Sequence, residues 1–158
     1  MPTLSAGLVV HRSHPLRGRE VLIVHPGGPF WAKKHRGAWS IPKGEYGRDE
    51  DPAVAARREF VEELGVAPPD GPMLDLGEVQ QRGGKRVTAF AIEGDVDVSA
   101  TVSNTFEMEW PPRSGRTQAF PEVDRAEWCS IDEARERLID GQVPLLDRLL
   151  DLLARPSA

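Results

Sequence analysis

Three glutamates with helical spacing are the residues of this chain best suited to chemistry. Glu59, Glu62 and Glu63 occupy positions i, i+3 and i+4, so a helix would project all three carboxylates from one face. Like charges at this spacing repel one another, and such a helix needs compensation. Hard oxygen ligands on one rigid face are what Mg²⁺ or Mn²⁺ requires, and these ions in turn bind phosphates. The spacing therefore indicates a divalent-metal enzyme that acts on phosphates.

The segment that carries these glutamates has the features of a helix with defined ends. Acidic residues lead into Pro52 at positions 49–52, a pattern typical of a helix start. We predict a helix from there to about Leu64, with Gly65 as a left-handed cap. An apolar stripe is expected opposite the glutamates, and its small alanines favour close packing onto a sheet. The stripe consists of Ala53, Ala56, Phe60 and Leu64, widened by Val54 and Val61.

The rest of the chain alternates predicted strands, loops and helices. Strands are predicted where β-rich apolar runs are bounded by polar or Gly/Pro segments. They lie at about 5–10, 20–25, 39–41, 74–81, 85–93, 105–110 and 127–131. The turn Arg82-Gly83-Gly84 predicts a hairpin between the fourth and fifth of these strands. Two helices are expected at the end, one capped by Asp132 and reaching about Ile139, the other from Pro144 to about Leu153.

Length and composition limit the class of protein. A chain of 158 residues without repeats or a linker predicts one domain over 1–158 with a sizeable core. The formal net charge of -5 argues against a general binder of nucleic-acid backbones, which would be basic. Cys129 is the only cysteine, which excludes a thiolate metal cage and indicates a core residue. No apolar run has membrane-span length and no signal-peptide pattern occurs, so a cytoplasmic protein without a membrane partner is expected.

A longer motif surrounds the three glutamates. Five residues separate Gly44 from Glu50, and seven more precede Arg58-Glu59-Phe60-Val61-Glu62-Glu63-Leu64-Gly65-Val66. The arrangement resembles the Nudix box at every defined position, and Trp39-Ser40-Ile41-Pro42-Lys43 resembles the approach to that box. Chance agreement of seven fixed residues at a given start is on the order of 10⁻⁸. On these residues the chain is identified as a member of the Nudix hydrolase family.

The resemblance implies a fold, an activity and a set of site residues. The implied fold is of the α/β class, an α/β/α sandwich with a mixed β-sheet. The implied activity is hydrolysis of a nucleoside diphosphate linked to another moiety, with Mg²⁺ or Mn²⁺ as cofactor. Arg58 is implied to orient a glutamate through charge-assisted hydrogen bonds that include Glu50. The implied metal ligands are Glu59, Glu62, Glu63 and the Gly44 carbonyl.

The general base stays open, because family members take it from a box glutamate or from a later loop. Within the box, Glu62 and Glu63 are the candidates. Outside it we favour Glu122, which precedes the predicted strand with Trp128, where the family often supplies an extra carboxylate. The alternative is that Glu122 is a surface charge on a loop.

Two segments near the box have residue types suited to nucleotide binding. The loop at 26–38 combines aromatic and cationic side chains that could stack on a base and attract phosphates. It could equally be a basic surface turn with Trp31 and Trp39 in the core, and Trp39 is expected there. The turn at 110–116 contains two arginines and could form a lid or phosphate clamp. The predicted substrate-binding residues are Phe30, Lys33, His35, Arg36, Lys43, Arg113 and Arg116.

The sequence says less about the substrate and the oligomeric state. Residues 79–84 have neither the proline of ADP-ribose-cleaving relatives nor the tyrosine of dinucleoside-polyphosphate-cleaving relatives, and a coenzyme A signature is missing. Nucleoside triphosphates and dinucleoside polyphosphates rank first as small-molecule substrates, and ADP-sugars second. Two alternatives are a non-catalytic Nudix-like module that binds nucleotides or regulates a partner, and an RNA 5′-end pyrophosphohydrolase. A monomer or homodimer is expected, with the leucines of the last helix either in the core or at a dimer surface.

Overall fold

The computed structural model describes residues 3–155, in which strands and α-helices are joined by loops and single turns of 3₁₀ helix. The strands are β1 (Leu4–His14), β2 (Gly18–Pro26), β3 (Lys43–Glu45), β4 (Leu74–Gln80), β5 (Arg86–Glu93), β6 (Thr105–Glu109), β7 (Thr117–Pro121) and β8 (Val123–Ser130). The helices are α1 (Pro52–Leu64), α2 (Ile131–Arg137) and α3 (Pro144–Ala154).

β1 is the central strand and has both parallel and antiparallel neighbours. The main sheet has the order β4-β5-β1-β2-β8, and β3 pairs with the first residues of β1. β1 runs parallel to β5 and antiparallel to β2 and β3. β6 and β7 form a separate two-stranded hairpin. The prediction of a mixed sheet is confirmed.

Alternate residues of β1 contribute to two separate halves of the core, because successive side chains of a strand point to opposite faces. Ala6, Leu8 and Val10 belong to the cluster that includes the buried face of α1. Val9 belongs to the other cluster, with the buried side chains of α2 and α3. Strands covered by helices on both faces are typically apolar in succession, as residues 6–10 of β1 are,. The predicted α/β/α sandwich is confirmed.

α1 begins and ends where its sequence predicts. The Asp51 carboxylate accepts a hydrogen bond from the Ala53 amide at 3.0 Å, and Pro52 occupies the first turn. Gly65 ends the helix with a φ of 69°, a left-handed conformation that favours glycine. The buried side chains are Ala55, Ala56, Phe60 and Leu64.

The predicted width of the apolar stripe on α1 is wrong. Val54 and Val61 are exposed, because at 3.6 residues per turn they lie roughly 100–120° around the helix from Phe60. Ala55 is buried in their place. The helix is therefore rotated so that its glutamate side flanks the buried face, whereas we expected it on the opposite side.

Three further local predictions need correction. Trp39 and Ser40 make only isolated bridges, to Leu138 and Val24, because Pro42 lacks an N–H and ends the pairing. The strand predicted at 39–41 lies instead just after Pro42, at β3. The strand β7 was not predicted. Asp132 does not cap α2. Ser130 does so in a capping box with Glu133, a pattern that the Ser-x-x-Glu spacing already contained.

The remaining predicted elements agree with the structure. β4 and β5 flank the turn at 82–84 as a hairpin, and α3 starts at Pro144. Cys129 is buried in β8, and burial raises the pKa of its thiol to about 11. Of the two positions considered for the leucines of α3, the core is the observed one for Leu145, Leu146 and Leu149.

Gln142 is a fully buried polar residue that sequence reasoning did not single out. Its Oε1 accepts a hydrogen bond from the Ile41 amide at 2.9 Å. Its Nε2 donates to Ser40 Oγ at 3.0 Å and to Gln81 Oε1 at 2.8 Å. The side chain thus joins the segment before β3 to the end of β4.

Replacing Gln142 by alanine should lower the free energy of unfolding by roughly 2–3 kcal/mol, because the buried Ile41 amide loses its acceptor. Urea unfolding followed by tryptophan fluorescence measures this. Gln80→Ala, at an exposed position of β4, is the matched control and should change stability by less than about 0.5 kcal/mol. Equal unfolding midpoints for the two variants would contradict the role given to Gln142.

Candidate active site

Close packing between β3 and α1 brings the two ends of the glutamate motif together. The carboxylate of Glu59 lies directly against the Cα of Gly44, and a Cβ at position 44 would overlap it. Only glycine leaves this space. The contact places the backbone of β3 beside the acidic side of α1.

Arg58 is the centre of an ion-pair network on α1. Its Nε and Nη2 donate to both carboxylate oxygens of Glu50, at 2.8 and 2.7 Å. Its Nη1 donates to Glu59 at 2.8 Å and lies 3.2 Å from Glu62 Oε2. The hydrogen bond from Arg58 lowers the pKa of Glu50, and the same bond raises the pKa of the guanidinium. The expected contact between Arg58 and Glu50 is present, and its catalytic role stays a prediction.

Glu63 has a different environment from its neighbours. One of its carboxylate oxygens accepts a hydrogen bond from the Lys43 amide at 2.8 Å. Burial raises the pKa of Glu63 to about 7, and the charges of Glu59 and Glu122 raise it further. The hydrogen bond and the charge of Lys43 lower it. Burial is also the main cause of the raised pKa of Glu59. Without a cation, this cluster resists full ionisation.

The donor set fits a hard divalent cation. Across residues 3–155, no group of three or more His, Cys, Asp or Glu side chains is arranged as a ready metal site. Arg58 neutralises Glu59 and Glu62 instead. A divalent cation would offset the desolvation and mutual repulsion that raise the pKa values of Glu59 and Glu63,.

Glu122 lies where three segments meet near the end of α1. Its amide donates to the Asn104 carbonyl at 2.8 Å, and its own carbonyl accepts from the Gly27 amide at 3.0 Å. Asn104 Nδ2 in turn donates to the backbone carbonyl of Glu62 at 3.2 Å. The exposed side chain of Glu122 is close enough for its charge to act on Glu63. Its role as a general base stays a prediction.

The two segments predicted to bind substrate contact each other. Phe30 and Trp110 form an edge-to-face pair with ring centroids 5.7 Å apart. Phe30 and Trp31 are exposed, so the suggestion that Trp31 lies in the core is wrong, while Trp39 is fully buried. The pair joins the loop at 26–38 to the hairpin of β6 and β7.

The predicted cations are distributed around this pair and the box. Arg113 and Arg116 are exposed in the turn of the hairpin, and Lys33 is exposed in the loop. Lys43 lies at Glu63, where burial and then the neighbouring Lys85 lower the pKa of its ammonium group. These residues therefore do not form one cluster.

A cavity of about 590 Å³ lies on the side of the sheet covered by α2. Of the predicted site residues, Arg36 lines it. Gln81, Arg82 and Arg135 also line it, and sequence reasoning did not assign them to a site. The predicted hairpin turn that contains Arg82 is the one sequence feature that pointed to this region. The other residues that line the cavity come from distant parts of the chain.

The fold and the acidic loop-helix unit define the class of this protein. A model of the NUDIX domain family matches residues 1–149, so the chain belongs to the NUDIX domain family.

Similar solved structures share the fold along the whole chain. A Caenorhabditis elegans Ap4A hydrolase binary complex is 22% identical, with a TM-score of 0.64 over 95% of this chain and 98% of that chain. The NUDIX domain of Shewanella oneidensis NrtR, complexed with ADP ribose, is 18% identical, with a TM-score of 0.64 over 98% of this chain and 90% of that chain. The Nudix fold is thereby confirmed.

Similarity to curated proteins is more local. An RNA pyrophosphohydrolase from Caulobacter vibrioides is 45% identical over 51 residues, which are 29% of this chain and 30% of that relative. The match therefore spans less than a third of either protein. Separately, none of the helices within 3–155 is both long and apolar enough to cross a membrane.

The contribution of Glu63 to the stability of the metal-free protein should fall as pH rises from about 4.5 to 7. Glu63 has a raised pKa in the folded protein and titrates near its ordinary value when unfolded, so the unfolded state binds fewer protons in this window. Glu63→Gln removes this contribution and should have a higher melting temperature than wild type at pH 8 in EDTA.

Thermal melts from pH 4 to 8 measure the effect. Glu78→Gln is the control, because Glu78 is half exposed at the sheet edge and should retain the wild-type pH profile. A Glu63→Gln profile that runs parallel to wild type would contradict the prediction.

Proposed function

We propose that the chain is a divalent-metal-dependent pyrophosphohydrolase that cleaves a phosphoanhydride bond in a nucleoside di- or triphosphate derivative. Nucleoside triphosphates and dinucleoside polyphosphates are the first substrates to test, and ADP-sugars the second. The observation that carries the proposal is the Glu59 carboxylate packed against Gly44 and joined through Arg58 to Glu62, with the desolvated Glu63 held at the neighbouring Lys43 amide. A solvated acidic surface would not place a carboxylate in this environment.

The proposed metal ligands are the carboxylates of Glu59, Glu62 and Glu63 and the carbonyl of Gly44. Bound Mg²⁺ or Mn²⁺ would supply charge neutralisation at phosphate oxygens and a more acidic water. Arg58 holds the network in place, because Glu50 fixes its guanidinium in a bidentate ion pair. This leaves its Nη1 for Glu59 and Glu62.

A proton must leave the attacking water, and two sources of a base lie close together. A box glutamate could accept it, or Glu122 could do so from the segment between β7 and β8. Glu122 is exposed, and its backbone hydrogen bonds position it by Gly27 and Asn104. The electrostatic effect of Glu122 on Glu63 supports its proximity to the acidic cluster.

One surface supports a nucleotide as substrate. The Phe30–Trp110 pair, in which Phe30 is exposed, offers aromatic area that can stack on a base,. The cavity at Arg36 lies on the face of the sheet covered by α2, away from the glutamates of α1, and does not enter this proposal. The names of two similar structures, an Ap4A hydrolase and an ADP ribose complex, agree with a substrate of this kind.

Hydrolysis of an RNA 5′ end is the second candidate function. The local identity to an RNA pyrophosphohydrolase supports it, and exposed cations at Lys33, Arg36, Arg113 and Arg116 could contact a phosphate chain,. A non-catalytic module is the weaker alternative, because a binding module need not retain the full set of glutamates.

Wild type should hydrolyse at least one member of a panel of nucleoside triphosphates, dinucleoside polyphosphates, ADP-sugars and 5′-triphosphorylated RNA. Activity should require Mg²⁺ or Mn²⁺ and stop in EDTA. Glu62→Gln should lower turnover about 100-fold or more, because it removes a proposed ligand.

Release of phosphate, pyrophosphate and nucleoside monophosphate measures turnover, and product analysis in ¹⁸O-labelled water identifies the phosphorus attacked. Glu78→Gln, on β4, is the control and should keep wild-type turnover. Equal rates for wild type and Glu62→Gln would contradict the proposed metal-dependent hydrolysis.

Glu122→Gln distinguishes an external base from a box glutamate. If Glu122 accepts the proton, this variant should lose about 100-fold or more in kcat at saturating Mg²⁺, with the melting temperature unchanged because the side chain is exposed. Unchanged turnover at saturating Mg²⁺ removes Glu122 from the reaction and leaves the box glutamates as the source of the base.

A further inference from the structure

The imidazole of His25, in β2, is buried between two hydrogen-bond acceptors. Nδ1 lies 2.7 Å from Asp124 Oδ1, and Nε2 lies 2.6 Å from the backbone oxygen of Lys34. A carboxylate and a carbonyl both accept, so each contact needs a proton on the ring. A neutral imidazole has a single N–H. Only the doubly protonated ring satisfies both contacts together.

Aromatic rings hold this imidazole in place. His25 stacks on His35 with centroids 5.1 Å apart and an interplanar angle of 28°. It also packs against Trp39 at 5.0 Å. The Lys34 ammonium is turned away over Trp31. Both aromatic rings pack against the imidazole, and its two nitrogens lie at the acceptors.

Asp124 is the counter-ion of the ring, because the nearby arginines pair with a different carboxylate. Arg125 of β8 and Arg137 of α2 lie over the neighbouring tryptophan. Both form ion pairs with Glu127, at 2.7 and 3.0 Å. Asp124 is paired with the imidazole, and burial strengthens a hydrogen-bonded pair of this kind.

The contact with Lys34 fixes the loop at 27–38. At its ends, the amides of Gly27 and Gly37 donate to the carbonyls of Glu122 and Glu136. Between these ends, the backbone hydrogen bonds that the described part of the chain contains are local turns. Within residues 3–155, the bond from His25 is the one that joins the interior of the loop to the sheet.

We propose that His25 is a positioning residue for substrate. Its doubly protonated imidazole links Asp124, two residues after Glu122, to the loop that carries the predicted substrate-binding side chains. Without this imidazole the bond to Lys34 is absent and the loop is released. Substrate binding should therefore weaken when His25 is replaced. This inference rests on the proposed function where it concerns substrate, whereas the state of the ring and the loop can be measured without one.

The first test needs no substrate. In ¹⁵N NMR, both ring nitrogens of His25 should carry protons, as the two acceptors require, and the amides of residues 29–36 should be protected from exchange. His25→Gln should speed exchange in this loop about tenfold at pH 6. His11→Gln is the matched control, because His11 is the other buried histidine of the described residues and lies on β1. It should leave loop exchange unchanged.

Asp124→Asn is a second variant that keeps the imidazole and its packing. It should reduce the doubly protonated fraction and increase loop exchange, which tests the proposal even if His25→Gln does not fold. A singly protonated His25 at pH 6, or loop exchange equal to wild type in the variants that fold, overturns the proposal.

The second test uses the best substrate of the panel. His25→Gln should raise KM about tenfold with kcat within about threefold. His11→Gln should retain both wild-type properties. Unchanged KM in His25→Gln overturns the positioning role. If wild type turns over no substrate, the proposed function fails, while the NMR and exchange results still decide the state of His25.

Discussion

The contact between the Glu59 carboxylate and the Cα of Gly44 is the constraint on which the site depends. Because position 44 has no side chain, β3 lies directly on the acidic side of α1. The same approach brings the Lys43 amide to Glu63. The loop between the two elements then returns Glu50 to Arg58. Backbone packing, and not the helix alone, therefore places the carboxylates.

The electrostatics of this unit oppose its stability and favour its chemistry. Burial disfavours the ionised form of Glu63, and the nearby carboxylates add to the effect. Arg58 provides partial compensation through ion pairs to three glutamates. Such an arrangement lowers the stability of a helix. It is common at functional sites, where carboxylates with shifted pKa values bind a ligand. A divalent cation is the partner whose charge would complete it.

The proposed functions of recognition and catalysis fall on different parts of the fold. The acidic cluster lies on α1 against the centre of the sheet, whereas the loop at 27–38 and the β6–β7 hairpin meet through Phe30 and Trp110. Glu122 lies between β7 and β8, and Asp124 lies at the start of β8. Enzymes commonly place variable recognition segments on a rigid scaffold in this way. The local similarity to an RNA pyrophosphohydrolase and the fold-level similarity to an Ap4A hydrolase therefore leave the substrate to these segments.

Local sequence determined the features whose causes are local. The acidic start, Pro52 and Gly65 define α1, because caps act on neighbouring backbone groups. The spacing from Gly44 to Val66 was sufficient to recognise the family. The resemblance then implied the sandwich, with which the predicted order of strands and helices agrees. Even the cap of α2 by Ser130 was readable, although Asp132 was predicted in its place.

Only the tertiary structure decided what depends on partners distant in the chain. The rotation of α1 exposed Val54 and Val61 and buried Ala55, because the sheet selects which side of a helix it covers. Gln142 is satisfied by residues 61 and about 100 positions away, and His25 is held by Asp124 at a separation of 99. No periodicity or motif encodes such pairings, since they arise when the sheet brings separate segments together. The type of chemistry could therefore be predicted from the sequence. The environment of each side chain proposed to perform it could be seen only in the tertiary structure.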